Sequence, residues 1–419
     1  MRVLNTDFKE YRSLNVLIIA QYFLPDMGGA SARAFNVAKG LIGLGCSVNV
    51  ITAFPHYPKG DVPKYYKGKS FVFESIEDIQ VLRVWIPSLP HNNVTNRIIL
   101  HLSFLFSSLF PLFLKREFDV IWAANPNLFS FLSALIYSFF YRKPIVRNVD
   151  DLWPEVFYDL GLIRSKLFKI ILDFIAKLSY VIPLAITPIS SAYKREIIKK
   201  YHIEPEKLLV IEVGIDIDEK KELEITPSFT NDHYIVMYSG ILGISYDFDN
   251  VLKAAKLLEK YNNIIFMIRG LGECENEIRK MINKYNLKNV VLKTEYLQKS
   301  VLQNILSSAD VFILPMKKMK ASEQGLPTKL FEYQSYSKPI ICISEGEPAE
   351  YIKKTKSGLV TKTHDEKALS QAILTLYRNI DLAKELGSNG FNYVSKNLTP
   401  EKIGQKMLHI FHSVTSQVK

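Results

Sequence analysis

The feature that most constrains the fold is a rhythm that runs once and then restarts. Residues 14–20 read LNVLIIA, an unbroken apolar run. A strand reads this way when both faces of its sheet are covered, as in parallel α/β sheets. A Pro/Gly loop follows, QYFLPDMGGASARA, and opens a helix expected to reach about residue 44. Residues 46–53 (CSVNVITA), 81–86 (VLRVWI), 119–124 (DVIWAA) and 144–149 (PIVRNV) repeat the strand signal. This alternation predicts a doubly wound parallel sheet. It begins again at 234–240 (YIVMYSG), with a helix over 249–261 and a strand and Gly loop over 263–272. The strand VVLKT (290–294), a helix near 300–308 and the strands within 310–315 and 339–344 complete the second half. The chain has 419 residues, more than the ~250–300 that one core supports. The polar, Pro-containing segment 220–233 (KKELEITPSFTNDH) is the expected linker.

Charge and cysteine content narrow the partners. The net charge is +11, which suits nucleic acid, an anionic membrane face or an anionic substrate. Cys46, Cys274 and Cys342 lie far apart, so neither a disulfide framework nor a zinc site is expected, and a reducing cytoplasm fits. The polar first thirteen residues do not read as a signal peptide. Two apolar runs stand out: 98–114 (IILHLSFLFSSLFPLFL), between Arg97 and Lys115-Arg116, and 128–140 (LFSFLSALIYSFF), followed by Arg142-Lys143. A crossing helix needs about 20 apolar residues, so neither is expected to span. Two readings remain: a membrane-facing apolar surface with a basic rim, which the density of Phe and Leu favours, and two core helices.

Several strand exits carry candidate chemistry. Gly28-Gly29 sits between the first strand and its helix, where backbone N–H groups can meet an anion or the pair can serve a plain tight turn. Asp150-Asp151 follows PIVRNV, where a parallel strand's end points into a ligand crevice; Arg147 is a candidate partner for one of these acids. Ser239-Gly240 and Arg269-Gly270-Leu271-Gly272 end two strands of the second half and should line one cleft. Asp247-Phe248-Asp249 resembles a metal-binding pair of acids, but its place at a helix start favours capping. The stretch ASEQGLPTKLFEYQSYSKPI (321–340) places Lys329 and Glu332 near a loop–helix junction, suited to a diphosphate and to sugar hydroxyls respectively.

These stretches, in this order, resemble the family-4 retaining glycosyltransferases of the GT-B fold. The Gly28-Gly29 loop, Val213-Gly214-Ile215-Asp216, the Gly270-Leu271-Gly272 loop, ADVFILP and GLPTKLFEYQSYSKPI carry the resemblance, which covers nearly the whole chain. TAFPHYPKG and DLWPE make it most similar to the L-fucosamine transferase-like branch of O-antigen and capsule assembly. The resemblance implies two Rossmann-like domains facing a cleft: residues 1–215, with a returning helix at 400–419, for the acceptor, and 216–399 for the nucleotide-sugar. It implies that Glu332 holds the ribose, that Gln324 occupies the position facing the donor sugar, with Gly325 and Leu326 beside it, and that Lys329 holds the diphosphate. Glu323 stands one residue early, and Ile241 replaces a usual Arg. Asp150 lies near a position that faces the donor sugar, and Asp151 matches the branch's acid. The donor set then comprises Gly28, Gly29, Gly240, Arg269, Gly270, Leu271, Gln324, Gly325, Leu326, Lys329 and Glu332, with Asp150, Asp151 and Lys329 as catalytic residues.

The implied function is transfer of a sugar from a UDP-type donor, an N-acetylated deoxyhexosamine among the candidates. The acceptor would be a lipid-linked, undecaprenyl-type saccharide at the inner face of the cytoplasmic membrane. Neither metal nor other cofactor, nor nucleic acid, is expected. The alternatives are a GT-B sugar-nucleotide epimerase and a silent scaffold of a polysaccharide assembly complex.

Overall fold

The computed structural model describes residues 12–91, 94–113, 117–124, 128–159, 163, 165–217 and 233–418. The expected linker lies outside them apart from His233, as do residues 1–11 and the Lys115-Arg116 rim. The chain divides into two compact units, Met1–Gly214 with Leu398–Lys419, and Ile215–Asn397.

The first unit holds a seven-stranded sheet. Its strands are β1 (Asn15–Ile19), β2 (Ser47–Ala53), β3 (Phe71–Ile76), β4 (Ile79–Val84), β5 (Val120–Ala123), β6 (Ile145–Val149) and β7 (Ala185–Pro188), in the order β3-β4-β2-β1-β5-β6-β7. Only β3 runs antiparallel, paired to β4. The second unit holds a fully parallel sheet of β8 (Tyr234–Ser239), β9 (Ile264–Arg269), β10 (Val290–Lys293), β11 (Val311–Pro315), β12 (Ile340–Ile343) and β13 (Gly358–Thr361), ordered β10-β9-β8-β11-β12-β13. Both units are Rossmann-like. In each, the strand order reverses beside the first strand, at β1/β5 and at β8/β11. Ligands of open α/β sheets bind beyond the carboxyl ends of strands at such reversals.

The apolar runs become central strands because helices cover both faces. Val16, Ile18, Ile19, Val236, Phe266 and Ile313 are fully buried, each contributing about 1.5–3 kcal/mol of burial. Three strands escaped the sequence pattern: β3, β7 and β13. β3 alternates half-buried and exposed residues. It joins β4 through Glu77-Asp78, both at positive φ (46° and 65°), a two-residue turn made without the usual Asn-Gly signal.

The helix Pro400–Ser416 packs on the helix Gly29–Gly43 of the first unit. Two glycines let the backbones touch: a Cβ on Gly40 would sit 1.9 Å from the Pro400 carbonyl oxygen. The expected returning helix is therefore present.

The apolar run at 98–114 forms a helix, Val94–Ser107, then a turn and a short 3₁₀ segment, Phe110–Phe113. Taken together, Val94–Phe113 has the length and apolarity to cross a membrane, more than the sequence reading allowed. Leu100, His101 and Phe104 are nevertheless buried in the first unit's core, while Phe106, Phe110 and Phe113 are exposed. The run at 128–140 is the helix Leu128–Tyr141, with Phe139 and Phe140 exposed at its end. The core reading holds for the buried face, and the exposed face carries aromatic side chains.

Candidate active site

In the second unit, the loops after β8 and β9 touch backbone to backbone. A Cβ on Gly270 would lie 1.7 Å from the Gly240 carbonyl oxygen. Gly240 N donates to Arg269 O at 3.0 Å, and Leu242 N to Leu271 O at 2.9 Å. Gly240 and Gly270 have φ of 146° and 141°, which glycine adopts freely. The structure thus brings Gly240, Arg269, Gly270 and Leu271 together. Arg269 is buried, its guanidinium reaching Glu295 O at 3.5 Å.

Lys329 begins the short helix Lys329–Gln334 and lies directly over Gly240. A Cβ there would come within 2.0 Å of Lys329 Cε. Its Nζ donates to the Tyr246 hydroxyl at 3.0 Å, 4.6 Å from that ring's centroid and 5.6 Å from the ring of Tyr238. Among the described residues no carboxylate pairs with it. Tyr333 pins the helix to the end of β8: its hydroxyl accepts from Ser239 N at 3.0 Å and donates to Ser239 O at 2.8 Å. Its ring stacks on Phe312, 4.1 Å between centroids. Glu332, in the same first turn, is half-buried.

Gln324 ends the preceding helix, Lys320–Gln324; Gly325 is half-buried and Leu326 buried between the two helices. Glu323 keeps its Oε1 buried without a hydrogen-bond partner, an oxygen that position counting set aside. Asp247 caps the helix Phe248–Leu258 by accepting from Asn250 N at 3.1 Å, and Asp249 pairs with Lys253 at 2.6 Å. The capping reading of these acids holds.

Gly240→Ala should force Lys329 aside and strain the backbone. We expect a stability loss of about 1–3 kcal/mol by denaturant titration, and slower donor turnover. Gly243→Ala, whose Cβ would make only an ordinary contact at 3.6 Å, is the control and should leave both unchanged.

In the first unit, Gly28 precedes the helix Gly29–Gly43 at φ 110°, and no side chain caps that helix. The ring of Tyr57 lies 3.4 Å from where a Gly28 Cβ would stand. One turn into the helix, Arg33 is 1% exposed and its Nε lies 3.3 Å from Asp150 Oδ1. Asn148 Nδ2 donates to the other Asp150 oxygen at 2.9 Å. Burial raises the Asp150 carboxyl despite Arg33. Arg147 does not pair with either acid: its guanidinium stacks over Tyr180 at 4.4 Å and Phe131 at 5.7 Å. The strand's alternation turns Arg147 into the core. Asp151 keeps exposed surface. Desolvation, and then the charge of Asp150, push its carboxyl up to about 6, a rise that its contact with solvent limits.

The first unit also holds a buried chain of two imidazoles and an amide that the sequence did not reveal. His101 Nδ1 donates to Gln21 Oε1 at 2.7 Å, Gln21 Nε2 faces His56 Nε2 at 3.4 Å, and His56 Nδ1 donates to Phe54 O at 2.8 Å. The Gln21 amide N–H makes His56 Nε2 an acceptor, which selects the neutral Nδ1–H tautomer there, while the bond to Gln21 places a proton on His101 Nδ1. Asp26 accepts from the backbone N–H groups of His56 and Tyr57, both at 2.8 Å. Burial lowers His56 and His91 to about 4 and His101 to about 3, and raises Asp26 to about 7. Because the folded His101 titrates below its unfolded value near 6.5, its stabilisation is complete above pH 6.5. It is lost as pH falls, when only the unfolded chain takes up the proton. His101→Asn, which retains a donor for Gln21, should therefore gain on the wild type by ~1.4 kcal/mol per pH unit between pH 6 and 4. Denaturant titrations at pH 7, 6 and 5 check this. A constant difference would rule out the neutral buried imidazole.

Residues 27–219 match Glycosyltransferase Family 4, and residues 219–393 match Glycosyl transferases group 1. The chain belongs to the GT-B glycosyltransferases of the family-4 type. This glycosyltransferase is 29% identical over 170 residues to the poly(ribitol-phosphate) alpha-N-acetylglucosaminyltransferase of Staphylococcus aureus (strain COL). The match covers 39% of this chain and 32% of that relative, about a third of its length. It is 23% identical over 344 residues to WcaI of Escherichia coli (strain K12), named for colanic acid biosynthesis, covering 76% and 80% of the two chains. Anabaena HepE, solved with UDP-glucose, shares the fold at TM-score 0.67 and 16% identity, covering 96% of this chain and all of its own.

Proposed function

We propose that this glycosyltransferase moves a sugar from a UDP-linked donor to a lipid-linked saccharide in surface polysaccharide assembly, with retention of anomeric configuration. Support comes from the relatives named as a poly(ribitol-phosphate) alpha-N-acetylglucosaminyltransferase and as a colanic acid biosynthesis glycosyl transferase, and from the UDP-glucose complex of HepE. The observation that carries the reading is Lys329 held over Gly240 by Tyr246, at the strand-order reversal of the second unit.

In the proposed step the bond between the donor's anomeric carbon and the β-phosphate oxygen breaks. The acceptor hydroxyl bonds to that carbon on the same face, and its proton passes to the departing diphosphate. Lys329 and the N–H groups of the glycine loops offset the charge on the leaving group, more in the transition state than in the ground state. With that cation in place, we propose a metal-independent reaction. Glu332 would hold the ribose. Gln324 and Glu323, whose buried oxygen lacks a partner, would meet sugar hydroxyls. Asp150 and Asp151 would orient the sugars near the first unit. An N-acetylated deoxyhexosamine, as in the L-fucosamine branch, is the donor sugar to try first. The exposed Phe106, Phe110 and Phe113 support peripheral contact with the inner face of the cytoplasmic membrane.

The test is a screen of UDP- and GDP-sugars with a lipid-linked acceptor, reading nucleoside diphosphate release and the product's anomeric proton coupling. An inverted anomer would overturn the retaining mechanism. Interconversion of sugar nucleotides without acceptor would favour an epimerase. No thermal stabilisation by any nucleotide would favour a scaffold.

A further inference from the structure

The first unit's sheet has two edges, and the chain treats them differently. At the β7 edge a further segment pairs with the strand: Leu209 N donates to Ile186 O at 2.9 Å and Ile211 N to Pro188 O at 3.0 Å. At the opposite edge stands β3, which among the described residues pairs with β4 alone. An edge strand presents a row of N–H and C=O groups on which another strand can build, and soluble proteins blunt it with a charge, a proline or a bulge. β3 contains no proline and matches β4 residue for residue, without a bulge. Its one charge is committed within the chain: Glu74 accepts from Arg83 Nε at 2.5 Å and from the Tyr66 hydroxyl at 2.6 Å.

The register says which groups face outward. Trp85 N donates to Ser70 O at 2.9 Å, and bonded positions recur at every second residue of an antiparallel pair. Val72, Glu74 and Ile76 therefore bond to β4 as Ser70 does, while Phe71, Phe73 and Ser75 direct their backbone groups away from it. The side chains of those three share one face. Phe71 stacks on Phe110 at 5.3 Å and meets Phe73 edge-on at 5.7 Å, and Phe73 is 55% exposed. The flanking charges are of opposite sign. Lys67 and Lys69 lead into the strand, Glu77 and Asp78 follow it, and all four are exposed. A strand that is basic at one end, acidic at the other and aromatic between is complementary to itself run in reverse.

We propose that β3 pairs antiparallel with β3 of a second copy of this chain, about a two-fold axis at Phe73, joining the two first-unit sheets edge to edge. Phe73 then lies against the second copy's Phe73, a cross-strand aromatic pair. Each Lys69 comes opposite the other copy's Glu77. The same surface serves both copies, so the assembly closes at the dimer. Within one chain Glu77 meets Lys39 at 2.9 Å and Lys69 lies 3.6 Å from the Tyr65 ring centroid; exposed contacts of this kind exchange at little cost. The proposal goes beyond the transfer reaction and does not depend on it.

The experiment is sedimentation of the whole chain over a concentration series, with thermal unfolding as the check on folding. Wild type should sediment as a dimer. Ser75→Pro removes an N–H that β4 does not use, a change that edge strands tolerate, and Phe73→Lys sets two cations against each other at the axis. Both should sediment as monomers with a wild-type Tm. Lys69→Glu should dimerise about tenfold more weakly, since it replaces two attractive pairs by repulsive ones. Adding Glu77→Lys to Lys69→Glu restores opposite signs and should recover the dimer. This charge exchange lies outside the strand and decides the case if an edge variant fails to fold. A wild type that is monomeric at every concentration would overturn the proposal, and the edge would then belong to another segment of the chain or to a different partner. A dimer that survives both edge variants would place the interface elsewhere. A double charge exchange that recovers nothing would overturn the antiparallel register. A dimer that turns over no donor would refute the transferase reading and leave this inference standing.

Discussion

Lys329→Ala is expected to lower kcat/KM for the donor by about 100- to 1,000-fold, the range for removing one preorganised charge-stabilising group. The ammonium is already in place: Tyr246 accepts its hydrogen bond at 3.0 Å and two tyrosine rings flank it. On the proposed reading, little reorganisation would then be needed as charge built on a leaving diphosphate. The loss should fall mainly on kcat, because a group that acts mostly in the transition state contributes less to ground-state binding. Lys329→Arg should recover only part of the rate, since a planar fork cannot reproduce a compact ammonium over Gly240. Steady-state kinetics with the preferred donor, and UDP affinity by titration, measure the split. A kcat/KM within threefold of wild type would remove Lys329 from the mechanism.

The second large effect concerns stability. Arg33→Met should cost the first unit about 3–5 kcal/mol, because it leaves the Asp150 carboxylate enclosed without its cation. Arg33 is 1% exposed, and the Asp150 side chain 12%. The deficit should shrink as pH falls, because Asp150, already raised by burial, becomes protonated and no longer needs a counter-charge. Adding Asp150→Asn to Arg33→Met should restore much of the loss at pH 7, since a neutral amide can still bond with Asn148. Denaturant titration of the four members of the cycle at pH 7 and 5 checks both points. A loss below about 1 kcal/mol for Arg33→Met would mean that the pair is not structural.

The two predictions differ in how much of them the sequence contained. Lys329 and Glu332 share a loop–helix junction in one short stretch, so local spacing was enough to single them out. Tyr246, which holds Lys329, lies 83 residues away, and no local pattern couples the two. Arg33 and Asp150 are still farther apart. In ASARAFNVA, Arg33 interrupts an otherwise apolar helix face, a signal of a buried partner that the sequence left unnamed. Arg147 sat much nearer to the acids and was the obvious candidate, yet strand alternation turns it inward onto Tyr180.

The fold was more legible than the site. Central strands such as β1 and β12 are continuous apolar runs because both faces are covered, so composition alone marks them. β3 is an edge strand, half-exposed and turned by Glu77-Asp78, and it lacks both that run and a glycine turn. The apolar helices at 94–107 and 128–141 were ambiguous for a similar reason. Periodicity shows that a face is apolar, not what covers it. Only the packing shows that Leu100 and Phe104 are core while Phe106 and Phe113 remain uncovered.

The sequence by itself determined the two Rossmann-like halves, the glycine turns at the strand exits and the basic, acidic and glycine residues available there. These follow from hydrophobic period and backbone freedom, which act over a few neighbouring residues. The tertiary structure decided which of those residues meet. It placed Lys329 over Gly240, Arg33 against Asp150, and His101 against Gln21. Each of these depends on strand order, and strand order is set by how helices and sheet close over a shared core, not by any one segment of the chain.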